Sequence, residues 1–294
     1  MVMSEATFVS KLFIDGGDPE ETRTANELLK TVRPEWKRGI DGQTTNPTLV
    51  SKNPEIQKRL ASGKKLTQAE ALAEYKKIVE RVAEVTSGPI SIQVLADQST
   101  KADEMLRQAR VYREWIPNGV VKFPCTKEGL AGAEEFCTEF PVNITLNFSQ
   151  SQAAAVYRAT CHARYQVFIS PFVGRLDDQG ENGMEVVANE LKMYASGDGH
   201  VDVLTASVRT VDHLLYAIHL KSPAITIPLK VFKQWADRGF PLPGEDFVYK
   251  PEKLKSIPYQ PISLDQDWRS YDLYHKLTDD GLTRFMKDWQ AMIQ

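Results

Sequence analysis

The chain has 294 residues, long enough for one large domain, and its 42% hydrophobic and 26% charged residues exclude a disordered or low-complexity protein. A formal charge of −3 gives no electrostatic pull toward nucleic acid or an anionic membrane, so neither is expected as a partner. Cys125, Cys137 and Cys161 have no Cys-x-x-Cys spacing, which argues against a disulfide framework or a zinc site and for reduced thiols.

Met1–Lys11 has no basic n-region followed by an apolar h-region, and no apolar run approaches a membrane span, so the expected location is the cytoplasm. In chain order, eight β-like runs stand out: Lys11–Asp15, Gly39–Thr45, Ile90–Ala96, Gly119–Phe123, Val142–Phe148, Val167–Val173, Val201–Val208 and Ala224–Leu229. Most are β-branched and apolar with little polar alternation, as in strands covered on both faces. Between them, Glu20–Val32, Thr67–Thr86, Lys101–Trp115, Lys127–Glu139, Ser149–Tyr165, Met184–Ala195 and Thr210–Leu220 carry apolar residues at three- and four-residue steps, the helical period. Strand–helix alternation predicts a parallel sheet, and eight strands are the number that closes a (β/α)8 TIM barrel; a doubly wound open sheet is the alternative.

Asn53–Lys65 adds a polar helical segment before the third strand. Past Leu229 come one helix, the Pro- and Gly-containing stretch Phe240–Pro261, and an amphipathic segment, Leu282–Ile293, with Phe285, Trp289 and Met292 on one face. The expected organisation is a barrel domain over residues 1–240 and a C-terminal helical extension over 241–294. The five aromatics from Trp268 to Trp289 favour packing of that extension on the barrel or a neighbouring subunit over a solvated flap.

In such a barrel the C-terminal ends of the strands face the active site. Here those ends carry Asp15, Thr45, Asn46, Gln93, Lys122, Asn143, Thr145, Ser170 and Ser207, with Arg175 and Arg209 shortly after the sixth and seventh strands. A buried polar group without a partner costs about 1–3 kcal/mol, so convergence of so many on one face points to a polar reaction centre.

Lys122 lies inside the apolar run Gly-Val-Val-Lys-Phe-Pro. One reading is a lysine that snorkels from a strand end or pairs with Asp15. The other is an amine nucleophile: desolvation disfavours ammonium, and a neutral amine attacks a ketone to give an iminium that accepts electrons when a C–C bond breaks. Arg175 and Arg209, with Ser207 and Ser170, have the donors of a phosphate cradle, and their place near the last strands suits one; surface ion pairs are the alternative fate of the arginines. His162, His200, His213, His219 and His275 lack metal-ligand spacing and read as surface or packing residues. The glycines around Asp177 and Asp178 form no dinucleotide fingerprint and predict a turn.

The segments LFIDGGD (12–18), TTNPTLV (44–50), SIQVLAD (91–97), VVKFPCTKEGL (120–130), VNITLNFSQSQA (142–153), ISPFVGRLDD (169–178) and TASVRT (205–210) follow one another in an order that resembles the transaldolase family, which includes the fructose-6-phosphate aldolases. The tail LTDDGLTRFMKDWQ (277–290) is similar to that family's C-termini, whereas 241–276 carries no usable resemblance. The resemblance implies a class I aldolase that transfers a dihydroxyacetone unit between sugar phosphates. Lys122 would be the Schiff-base lysine and Asp15 the carboxylate that exchanges a proton with the substrate C4 hydroxyl. Asn46 and Asn143 would hold substrate hydroxyls and the enamine, and Thr145 the catalytic water. Ser207, Arg175 and Arg209 would bind phosphate, with Ser170 and Phe172 lining the site. It also implies a homo-oligomer acting on small-molecule sugar phosphates, with no metal or organic cofactor. Transaldolases proper usually carry Glu where this chain has Gln93, and Gln there marks the fructose-6-phosphate aldolases; those enzymes carry Tyr where this chain has Phe172, the transaldolase choice. An amide can position water but cannot take its proton, so the pattern is mixed between transfer and hydrolytic cleavage.

Overall fold

A computed structural model describes residues 9–251 and 253–294. Eight parallel strands pair in chain order: β1 (Lys11–Asp15), β2 (Gly42–Thr44), β3 (Ile90–Gln93), β4 (Gly119–Pro124), β5 (Val142–Asn147), β6 (Val167–Pro171), β7 (Val201–Thr205) and β8 (Ala224–Ile227). β8 pairs back onto β1 and closes the barrel, so the open sheet is excluded. Every residue of β4, β5 and β6 is buried, the polar Lys122, Asn143, Thr145, Asn147 and Ser170 included, as in strands covered on both faces. Inside the ring Phe13 and Phe168 meet edge to face at 5.8 Å. Gly42 makes this possible, because a Cβ there would stand 2.8 Å from the Phe13 ring.

The chain returns between strands through α1 (Pro19–Val32), α2 (Pro47–Ser51), α3 (Pro54–Ala61), α4 (Gln68–Ala83), α5 (Ala102–Arg113), α6 (Lys127–Phe136), α7 (Gln150–Ala159), α8 (Val173–Asp177), α9 (Gly183–Tyr194) and α10 (Val211–His219), then continues into α11 (Leu229–Asp237) and α12 (Lys276–Ala291). Side-chain caps begin many of them: Asp18, Thr126, Ser149 and Thr210 accept from first-turn backbone N–H groups, and Thr67 with Glu70 forms a reciprocal capping box. None of the described helices is long and apolar enough to cross a membrane.

β2, β3 and β5 to β8 are shorter than their β-like runs, and β2, β3 and β7 lose the most. Before β2, the Asp41 carboxylate accepts the Leu12 N–H at 2.8 Å, replacing the backbone partner that a longer strand would supply. After β7, Ser207 turns the chain with φ 58°. The short helices α2 and α8 start immediately after strand ends and are too brief to show a period. The last helix begins at Lys276, ahead of its apolar stripe, because its first turns face the barrel with small or polar residues. Thr278 donates to the Leu146 carbonyl at 2.9 Å, and a Cβ on Gly281 would stand 2.5 Å from the Leu146 side chain. Between α11 and α12 the chain runs as a strap along α7 and α9. Asn189 Nδ2 donates to the Ile257 carbonyl at 2.9 Å, and Gln150 exchanges two hydrogen bonds with the Gln260 backbone at 3.0 and 2.7 Å.

A buried carboxyl lies behind β5. Glu190 of α9 is fully buried and accepts from Asn147 Nδ2, while its Oε2 and the Asn147 Oδ1 have no protein partner. Burial pushes this carboxyl well above its ordinary range, so the folded protein keeps the proton that the unfolded chain loses at about pH 4.3. Stability from this site is therefore complete below that pH and falls as pH rises toward the folded-state value. Glu190→Gln should gain on the wild type by about 1.4 kcal/mol per pH unit through that window. Urea unfolding at several pH values checks this; parallel curves for the two proteins would contradict it.

Candidate active site

Register places the polar residues in tiers. Gln93, Lys122 and Asn143 are successive partners across β3, β4 and β5, and Thr145 pairs with Ser170 across β5 and β6. Residues in register on parallel neighbours share a face. That face is the interior, because Phe168, in register with Asn143, meets Phe13 of the non-adjacent β1 across the ring. The lysine keeps only 2% of its surface. Its Nζ stands 5.6 Å from the centre of the Phe172 ring, and among the described residues no carboxylate lies within ion-pair distance. Burial pulls the amine down to about 8, against the attraction of Asp15. At pH 7 that leaves roughly a tenth of the amines neutral, where an ordinary lysine would have far fewer than one in a thousand.

Asp15 ends β1 opposite. Thr44 Oγ1 donates to its Oδ1 at 2.8 Å, and Thr226 stands 2.6 Å behind Thr44. With its own proton spent on Asp15, Thr44 must accept from Thr226, so one hydroxyl chain orients the carboxylate. Burial raises the Asp15 carboxyl above its ordinary range, while Lys122 and the Thr44 hydrogen bond lower it. Asn143 is held from both sides: its Nδ2 donates to Ser91 Oγ at 3.0 Å, and Ser170 Oγ donates to its Oδ1 at 2.7 Å. Ser170 thus supports Asn143. Gln93 Oε1 and Thr145 Oγ1 are buried without a protein partner. Buried polar atoms normally have one, so both are free to bind a ligand next to the amine.

Asn46 follows β2. Its Oδ1 caps α2 by accepting from Leu49 N at 3.0 Å, which leaves its amide NH2 as the donor for a ligand. On the far side, Phe172 opens α8, and Arg175 lies between two rings, 6.0 Å from Phe172 and 5.8 Å from Phe285 of α12. Gly174 lets the turn after β7 sit directly on α8: a Cβ there would meet the Ser207 carbonyl and the Arg209 Cγ at 2.4 Å. That approach brings Arg175, Ser207 and Arg209 together. Arg209 is exposed and paired with Asp178 at 3.0 Å, so the surface reading describes part of its environment. His213 anchors this corner: Nδ1 accepts from Arg209 N at 3.3 Å, so Nε2 carries the proton toward Asp177, 2.8 Å away. Among the described residues no cluster of His, Cys, Asp and Glu is placed to hold a metal ion.

Residues 12–294 match the family model described as Transaldolase/Fructose-6-phosphate aldolase. The chain belongs to that family. A probable transaldolase from Mesorhizobium japonicum is 30% identical over 281 residues, 95% of this chain and 96% of the relative. Another, from Alkaliphilus metalliredigens, is 30% identical over 286 residues, covering 97% of this chain and all 100% of the relative. A crystal structure of an enolase of the mandelate racemase subgroup from Agrobacterium tumefaciens overlays on 78% of this chain and 56% of its own with a TM-score of 0.44 and 11% identity, a likeness too slight to bear on fold or function.

In this member of the family, three parts of the site carry no mark in the sequence. Thr44 orients Asp15, although only its place in the TTNP segment sets it apart. Phe285, whose ring centre lies 5.8 Å from the Arg175 guanidinium, comes from α12, distant in the chain. Tyr75 reads as one more apolar position of α4, yet its hydroxyl accepts the Gln93 backbone N–H at 2.8 Å and lies 2.7 Å from Thr45 Oγ1, which itself donates to the Ser91 carbonyl. Tyr75→Phe would leave the Gln93 N–H buried without an acceptor and should cost about 1–3 kcal/mol in urea unfolding. A change under about 0.5 kcal/mol, the size of a neutral surface substitution, would show that the contact does not hold the end of β3.

Proposed function

We propose that the protein is a transaldolase that moves a dihydroxyacetone unit from a ketose phosphate, such as fructose 6-phosphate or sedoheptulose 7-phosphate, to an aldose phosphate. The observation that carries this reading is the desolvated Lys122 amine facing Asp15 across the barrel mouth. Neutral Nζ adds to the C2 ketone, and loss of water gives a protonated imine. Asp15 takes the proton from the C4 hydroxyl, the C3–C4 bond breaks, and its electron pair flows into the imine to leave an enamine on Lys122. The aldose phosphate departs. An acceptor aldehyde then receives the enamine carbon, Asp15 returns its proton to the new alkoxide, and water releases the longer ketose. Asn143, fixed between Ser91 and Ser170, is suited to hold the enamine and its hydroxyls, and Thr145 to hold the water.

The competing reading within the family is aldol cleavage that releases free dihydroxyacetone. Phe172 favours transfer: the ring nearest the amine brings no hydroxyl to assist water, so the enamine outlives hydrolysis until an acceptor arrives. Gln93 slows imine turnover in either case, since an amide cannot move a proton.

Borohydride reduction with fructose 6-phosphate should add the dihydroxyacetone fragment to Lys122, read by peptide mass spectrometry. Lys122→Ala should lose trapping and at least about a thousandfold in turnover while keeping its unfolding midpoint. Product formation should require an acceptor aldehyde. No adduct on Lys122 would remove the proposal, and rapid dihydroxyacetone release without acceptor would convert it to the aldolase reading.

A further inference from the structure

The last helix bears on the same mouth. α12 is fixed there from two sides: Thr278 accepts from Gln152 and donates to the Leu146 carbonyl, and Asp288 accepts from Thr48 at the start of α2. Between these anchors, Phe285 is buried against Arg175, and the preceding residue is Arg284. Arg284 lies 3.8 Å from Asp288; burial, then the positive charges of Arg284 and Arg209, pull the Arg175 guanidinium down, against the attraction of Asp178 and Asp280. Arg209 has Asp178 as a partner and Arg284 has Asp288, whereas Arg175, between them, has no carboxylate within ion-pair distance among the described residues. Three guanidiniums from α8, the turn after β7 and α12 are thus gathered about a half-buried centre. Like charges repel there unless an anion joins them, and a phosphate dianion accepts from several guanidiniums at once.

We infer that Arg284 is a specificity-determining residue: the C-terminal helix supplies a third arginine to the phosphate site and selects doubly charged phosphate esters over unphosphorylated sugars. This rests on the transaldolase reading for the identity of the ester but not for the presence of the anion site. As a phosphate ligand Arg284 would contribute to binding and not to the bond-breaking step. The side chain is half exposed, so its replacement spares the core.

The test uses the full chain and compares wild type with Arg284→Gln and Arg284→Lys. In Arg284→Gln, the KM for fructose 6-phosphate and the dissociation constant for inorganic phosphate should both rise by about tenfold or more, the size of one lost charged hydrogen bond. Its rate of borohydride trapping with dihydroxyacetone, which carries no phosphate, should fall by much less than its affinity for phosphate. Arg284→Lys should recover part of both affinities. Unchanged KM and phosphate affinity in Arg284→Gln would overturn the inference, leaving Arg284 as a surface partner of Asp288. An equal loss of dihydroxyacetone trapping would overturn it as well, by showing general damage to the site. If the wild type itself neither traps nor turns over, the transaldolase reading fails, and the phosphate titration still decides the role of Arg284.

Discussion

An ammonium group buried in a protein interior is unstable, and this structure depends on how that instability is contained. Lys122 sits on a strand whose every residue is buried, so solvation cannot support its charge. Asp15 supplies partial compensation from across the ring, enough to keep the amine near 8 and not lower. A closer ion pair would restore the proton, whereas a fully apolar setting would strip it. The proposed Schiff-base chemistry depends on the separation of the two groups beyond contact distance.

Holding that separation requires rigid supports, and they are made from the strand ends. The Thr226–Thr44–Asp15 chain fixes the carboxylate, the Ser91–Asn143–Ser170 chain fixes the amide beside Lys122, and Tyr75 ties β3 to β2 through Thr45. Most links use a hydroxyl proton with one destination, and the Ser91–Asn143 link is donated by the amide, so the network admits few alternatives. Gln93 Oε1 and Thr145 Oγ1, left without protein partners, are the points at which the network ends.

Much of this was legible in the chain. Buried parallel strands are written as continuous apolar runs, so polar interruptions such as Gln93 and Lys122 stand out, and strand–helix alternation carries the closed barrel. The limits of strands two and seven were not legible, because Asp41 and Ser207 end pairing through a side-chain substitution and a left-handed turn that no periodicity records. Nor were the short helices α2 and α8, or the true start of α12, where Thr278 and Gly281 make a close contact with Leu146 that needs smallness and not hydrophobicity. At the site, the positions of Asp15, Lys122 and Asn143 followed from strand ends, and Ser170 donates to Asn143. Tyr75 was hidden because its role comes from what the fold brings near it.

Direct titration of the Lys122 Nζ by nitrogen-detected NMR, in the wild type and in Asp15→Asn, tests the central claim most closely. Midpoints near 8 for the wild type, and lower still once the opposing carboxylate is neutral, are the predicted result. An ordinary lysine midpoint of about 10.4, or one that ignores the loss of Asp15, would contradict it.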